Sequence, residues 1–155
     1  MSIHLSASAP TAVRSRSLRC RRRVISRQKS HADPVIRFWE EETLRLGDGL
    51  TLIRCGGHFA GGTVVHWAAG ADGRGALLSG DILQVCADRR HVSFMYSYPN
   101  YIPLSAPVVR SVVAAVEPFA YDRVYGAWWD RVIGEGGKEA VARSVARYLR
   151  AIGQA

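Results

Sequence analysis

The chain has 155 residues, 48% of them hydrophobic and 22% charged, a length and composition suited to one globular domain with a real core. No apolar run approaches the roughly 18 residues needed to span a bilayer, and the N-terminus lacks the apolar region of a secretory signal. Three cysteines, Cys20, Cys55 and Cys86, are odd in number and contain no Cys-x-x-Cys, so neither a disulfide framework nor a structural zinc knuckle is indicated, and a reducing cytoplasm fits.

The formal net charge of +8 is unevenly placed. Residues 1–30 hold eight basic residues, from Arg14 to Lys29, and no acidic one. Removing those eight from 21 leaves thirteen basic residues, which balance the thirteen acidic ones in 31–155. Residues 1–32 are therefore expected to be a basic, disordered arm, because Ser- and Arg-rich sequence buries too little apolar surface to offset the entropy of ordering. Such an arm is a solvated tail, a transit peptide or a patch for nucleic acid or another acidic partner. It lacks the interleaved aromatics on which bases stack, which argues against nucleic acid.

From Asp33 to residue 155 the texture is that of a folded domain. Two short runs around Gly47-Asp48-Gly49, TLRL and LTLIRC, predict a β-hairpin. A glycine-rich loop, GGHFAGG, follows. GTVVHWAAG then predicts a strand, ADGRG a turn, and ALLSGDIL a second strand ending at Ser79-Gly80-Asp81, all in sequential pairing. VSFMYSYPNYIPLS is expected to be a strand fragment and a loop. Val108, Val109, Val112, Val113 and Val116 form a helical stripe that stops at Glu117-Pro118. YDRVYGAWW predicts a short strand running into a loop. The closing GGKEAVARSVARYLRAIG is an amphipathic helix with Val141, Val145, Tyr148, Leu149 and Ile152 inward and Arg143, Arg147 and Arg150 outward. The fold class expected is α+β, a mostly antiparallel or mixed sheet with two C-terminal helices on one face.

Two residues stand out chemically. His58 lies between glycine pairs at a strand end, sterically open, and a neutral imidazole is a common metal ligand; a loop histidine bonded to backbone is the alternative. Asp81 follows an apolar strand and a glycine, so its carboxylate is expected at the same sheet edge, where it is either a cation ligand or a turn residue. Other candidates are expected to be structural. His66 is placed on the buried side of its strand, His91 in a polar turn after Asp88, and Cys55 in the core. Trp128 and Trp129 are expected to pack, one of them inward, rather than form a substrate platform. Tyr96, Tyr98 and Tyr101 form a hydroxyl-bearing rim on the core or line a cleft. No Ser-His-Asp set, P-loop or dinucleotide fingerprint is visible.

The segments GGHFAGGTVVHW (56–67) and LLSGDIL (77–83) together resemble the later part of the metallo-β-lactamase fold, whose members carry Gly-His-x-x-Gly and then a strand ending in Gly-Asp. The similarity extends from Asp33 to Ile152 through MYSYPNYIPL, YGAWW and the last helix, toward an uncharacterised bacterial subgroup. It covers most of the chain but only about the second half of the family's domain, and so implies part of an αβ sandwich. The resemblance also implies a metal-dependent hydrolase acting on a small-molecule substrate through metal-held hydroxide. It makes His58 a ligand of zinc or another divalent transition metal, and Asp81 a ligand bridging two cations. The family's first cluster, His-x-His-x-Asp-His, has no match in residues 1–57, where His4 and His31 are isolated. Its final histidine is missing too, since YGAWWDR occupies that place. Two ligands fall short of the three that a catalytic zinc site uses. A truncated hydrolase with a residual metal site and weak or absent activity is therefore expected, completed by self-association or a complementing half-domain, because half a sandwich leaves apolar sheet open to water. A non-catalytic module whose basic arm binds nucleic acid or another acidic partner is the rival expectation.

Overall fold

A computed structural model describes residues 38–154 and the backbone of Leu18–Cys20 and Arg37. The strands are β1 (Leu18–Cys20), β2 (Arg37–Trp39), β3 (Thr43–Gly47), β4 (Leu50–Arg54), β5 (Thr63–Trp67), β6 (Ala76–Gly80), β7 (Gln84–Val85), β8 (Val92–Ser93), β9 (Met95–Ser97), β10 (Ile102–Pro103), β11 (Arg123–Gly126) and β12 (Val132–Ile133). The helices are α1 (Ala106–Val116) and α2 (Gly137–Ala151). β1 pairs in parallel with β2; the rest of the basic arm lies outside the described residues.

The main sheet has the order β12-β11-β6-β5-β4-β3. β3 to β6 form an antiparallel meander, as expected from the short turns between them. β11 joins β6 in parallel, a pairing that requires the long connection containing α1. The fold is α+β, in accord with the sequence. It is more strand-rich than expected around 92–103, where the segment expected to be a strand and a loop contains the antiparallel β9–β10 pair.

Alternation along the strands decides what each face carries. Ile53, Val64, Leu77 and Val124 share one face and are almost wholly buried, in one core with Val109, Val112 and Val116 of α1 and Ala140 and Val141 of α2. The valine-rich α1 has modest intrinsic helix propensity, so this burial is what stabilises it. Val109, Val112 and Val116 are fully buried while Val108 and Val113 are only partly so, a narrower stripe than the sequence suggested. The opposite face carries a second apolar row in register: Leu44 opposite Leu52, Leu52 opposite Val65, Val65 opposite Leu78, Leu78 opposite Tyr125 and Tyr125 opposite Val132. On that face Leu78 and Trp67 are exposed.

Two polar anchors fix α2. Asp122 Oδ1 accepts the Gly136 N–H at 2.8 Å, its backbone oxygen accepts Gly137 N–H at 2.7 Å, and its Oδ2 accepts Arg74 Nε at 2.9 Å. Those donors, the Gly136 N–H foremost, hold its carboxyl below the usual carboxylate range. Farther along, the buried Ser144 hydroxyl donates to Ala140 O at 2.6 Å and accepts the Val92 N–H at 2.9 Å, tying β8 to the helix. Ser144→Ala leaves that buried N–H without a partner and is expected to cost about 1–3 kcal/mol in urea unfolding; a cost near zero contradicts this tie.

Candidate functional site

One edge of the sheet collects the candidate residues. Arg54 at the end of β4 pairs with Thr63 at the start of β5, continuation of the β5–β6 register brings Thr63 opposite Gly80, and Gly80 pairs with Gly126 at the end of β11. Gly126 N–H in turn donates to Arg131 O at 2.9 Å. The loops at 55–62, 81–83 and 127–130 therefore leave the sheet along one row, and His58, Asp81, Trp128 and Trp129 belong to them.

The glycines of the first loop have separate tasks. Gly56 and Gly57 adopt φ of +66° and +82°, a left-handed turn that L side chains rarely tolerate. Gly62 allows close approach: its oxygen accepts N–H donors from Cys55 at 2.8 Å and Gly56 at 2.9 Å, and a Cβ on it would lie 2.2 Å from Gly56 O. The loop is thus pinched shut at its base with His58 near its tip. The half-buried imidazole donates from Nδ1 to Met95 O at 2.9 Å, which sets the tautomer and leaves the Nε2 lone pair without a hydrogen-bond partner among the described residues.

Asp81 follows Gly80, another left-handed residue at φ +53°. The turn beneath it is fixed by Ser79, which is buried, donates its hydroxyl to Leu83 O at 2.7 Å and accepts Ile82 N–H on its carbonyl at 3.1 Å. Asp81 Oδ1 is buried and has no hydrogen-bond partner among the described residues. A buried oxygen left in this way typically costs about 1–3 kcal/mol, so a cationic or donor group is the chemistry it fits.

Tyr98 touches both residues. Its ring centroid lies 5.4 Å from that of His58, and its hydroxyl donates to Asp81 O at 3.1 Å, with Ser93 O 3.4 Å away. Burial, reinforced by the negative charge of Asp81, pushes its phenol well above the ordinary tyrosine range, so it remains a neutral donor. Sequence reasoning left Tyr98 among three rim tyrosines. The aromatic-proline punctuation of YSYPNY was the available signal, but it could not say which ring would turn in.

The other candidates divide clearly. His66 is buried, with Nε2 2.8 Å from Ala120 O and its ring 5.0 Å from that of Phe119, a core histidine as expected. His91 Nδ1 lies 2.7 Å from Asp88 Oδ2 in an exposed turn, where the Arg90 N–H and the His91 ring hold the Asp88 carboxyl down to about 2. Cys55 is buried, its thiol pushed up to about 12 by burial, and is inert packing. Trp128 and Trp129 correct the sequence reading: neither goes inward, the first being 62% and the second 98% exposed. The inward-outward rule holds for a strand, but both lie beyond the end of β11, in a loop closed by Arg131 N–H to Trp128 O at 3.1 Å. Tyr96 and Tyr101 also project into solvent rather than bordering the core.

Among the described residues, no group of three or more His, Cys, Asp and Glu side chains could hold a metal ion. His58 and Asp81 supply two donors that fit such an ion, one with a free nitrogen and one with an orphaned oxygen, and a full catalytic set is not assembled by them. A cavity of about 490 Å³ beside the loop, between Gly56-Gly57 and the first turns of α1, is lined by Arg54, Cys55 and Ser111 but by no histidine or carboxylate, so the buried Cys55 is its one metal-ligating residue type.

Gly62→Ala is expected to open the base of the His58 loop. Amide exchange at Cys55 and Gly56 should then rise by more than about tenfold while α2 stays protected; unchanged exchange at those two amides contradicts the pinched loop.

No family model matches the chain. It is 48% identical over 128 residues to "Uncharacterized protein YmaE" of Bacillus subtilis (strain 168), an alignment covering 83% of this chain and 45% of the relative. The chain thus spans a little under half the length of the curated relative it matches.

Proposed function

We propose that this chain is the His- and Asp-bearing part of a metal-dependent hydrolase of the metallo-β-lactamase type, acting on a small-molecule substrate in the cytoplasm and weakly active or inactive by itself. The observation that carries the reading is the buried, unpartnered Asp81 Oδ1, at a sheet edge where one tyrosine contacts both Asp81 and His58. His58 Nε2 and Asp81 would hold a divalent transition metal such as zinc. When bound, that ion supplies Lewis acidity toward the oxygen under attack and acidifies water.

The chain's own residues prepare the edge. Met95 O orients the imidazole, Tyr98 and Ser79 hold the Asp81 turn, and the pinched loop fixes where His58 stands. The ligands lacking here would come from polypeptide that covers the apolar row Leu52, Val65 and Leu78, either a complementing half-domain or a second copy of the chain. Two points favour such a cover: the exposed Leu78 and Trp67 on that face, and a relative more than twice as long as the part matched.

Zinc analysis of the dialysed chain beside His58→Ala and Asp81→Ala tests the reading. Wild-type chain is expected to bind up to about one equivalent, and each variant to bind at least about tenfold more weakly. Equal zinc content in all three proteins removes the site.

A further inference from the structure

Among the described residues, five large aromatic side chains are more than half exposed: Phe59, Tyr96, Tyr101, Trp128 and Trp129. Their placement is uneven. Phe59 is next to His58 and edge-on to its ring at 6.0 Å. Trp128 and Trp129 occupy the loop that leaves the same backbone row as Asp81. Tyr96 lies on β9, whose Met95 carbonyl holds His58, and Tyr101 lies in the β9–β10 turn, where its N–H donates to Tyr98 O at 3.2 Å. The most exposed aromatic side chains are gathered around one edge, while the less exposed Trp67 lies at the other end of β5.

The spacing of the sheet sets the scale of this arrangement. The His58 loop joins β4 to β5, Asp81 follows β6, and the tryptophan loop follows β11, so β6 lies between the two aromatic-bearing loops. With neighbouring strands about 4.8 Å apart, those loops leave the sheet about 10 Å from each other, with Asp81 between them. The tryptophan loop is also braced from outside, because Arg89 forms an ion pair with Asp130 within it.

We infer that Phe59 on one side and Trp128 and Trp129 on the other form a subsite for an apolar, ring-bearing portion of the substrate, whose polar centre is directed at Asp81 and His58. This rests on the metal-edge reading above for the polar centre, and on the exposure and register of the aromatics for the ring. Large planar side chains with few rotatable bonds bind a flat apolar group with little loss of entropy, and the surface they remove from water favours ligands with rings over small aliphatic ones. The occupant is a small molecule, since the rim flanks the loops that carry His58 and Asp81, both touched by Tyr98.

Naphthalene-2-carboxylate and acetate separate the ring from the polar centre. Tryptophan fluorescence and calorimetric titrations of the full chain, with and without Co²⁺, are expected to show at least about tenfold preference for naphthalene-2-carboxylate. That preference is lost in Trp128→Ala/Trp129→Ala and kept in Trp67→Phe, a control at the opposite end of β5. Absence of the preference in the wild type, or its survival in the double variant, overturns the subsite. So does sedimentation showing that the two tryptophans hold a dimer together, because the rim is then a contact between copies. Co²⁺ uptake, read separately in His58→Ala and Asp81→Ala, reports on the metal edge alone, so its failure is distinguishable from failure of the aromatic subsite.

Discussion

The organisation of this protein depends on one row of backbone pairing, in which Arg54, Thr63, Gly80 and Gly126 follow one another across four strands and Arg131, just before β12, continues it. Strand pairing has a fixed spacing and direction, so loops leaving one row emerge side by side whatever their separation in sequence. The row is stable because its inner neighbours Ile53, Val64, Leu77 and Val124 are buried against both helices. A one-residue slip in β6 would carry Leu77 to the outer face and bring Leu78 inward, and it would also displace Asp81 from beside the His58 loop. Core packing and site geometry are therefore one constraint.

Along that edge, local chemistry gives each group its posture. The shared Gly62 carbonyl closes the first loop, Met95 O claims one imidazole nitrogen, and Ser79 and Tyr98 hold the turn that carries Asp81. Among the described residues Asp81 Oδ1 is the one buried side-chain polar atom without a hydrogen-bond partner, which makes it informative. An exposed carboxylate needs no explanation, whereas a buried oxygen without a donor calls for one, from water, a donor group or a cation.

Much of this was legible in the sequence. The meander follows from short apolar runs punctuated by Gly47-Asp48-Gly49 and by 71–75, and both helices follow from their apolar periodicity. His58 and Asp81 stood out because glycines flank them, and the structure shows why each needs one nearby: a left-handed turn and a close backbone approach at the first, a left-handed Gly80 at the second. Tyr98 was not legible as the residue common to both, since its bond to Asp81 spans 17 positions and depends on how the β9–β10 pair folds back. The tryptophan pair was misread for a definite reason. Alternation was applied to residues that lie beyond the strand, where nothing obliges either ring to face the core.

The central claim is that the His58 imidazole and the Asp81 carboxylate share one cation. Paramagnetic broadening by substoichiometric Mn²⁺ in the NMR spectrum of the isotope-labelled chain reads this directly. The account predicts that resonances of His58, Asp81 and Tyr98 broaden together while those of His66 remain sharp. Broadening confined to the exposed Asp88–His91 turn, or reaching His58 without Asp81, would contradict it.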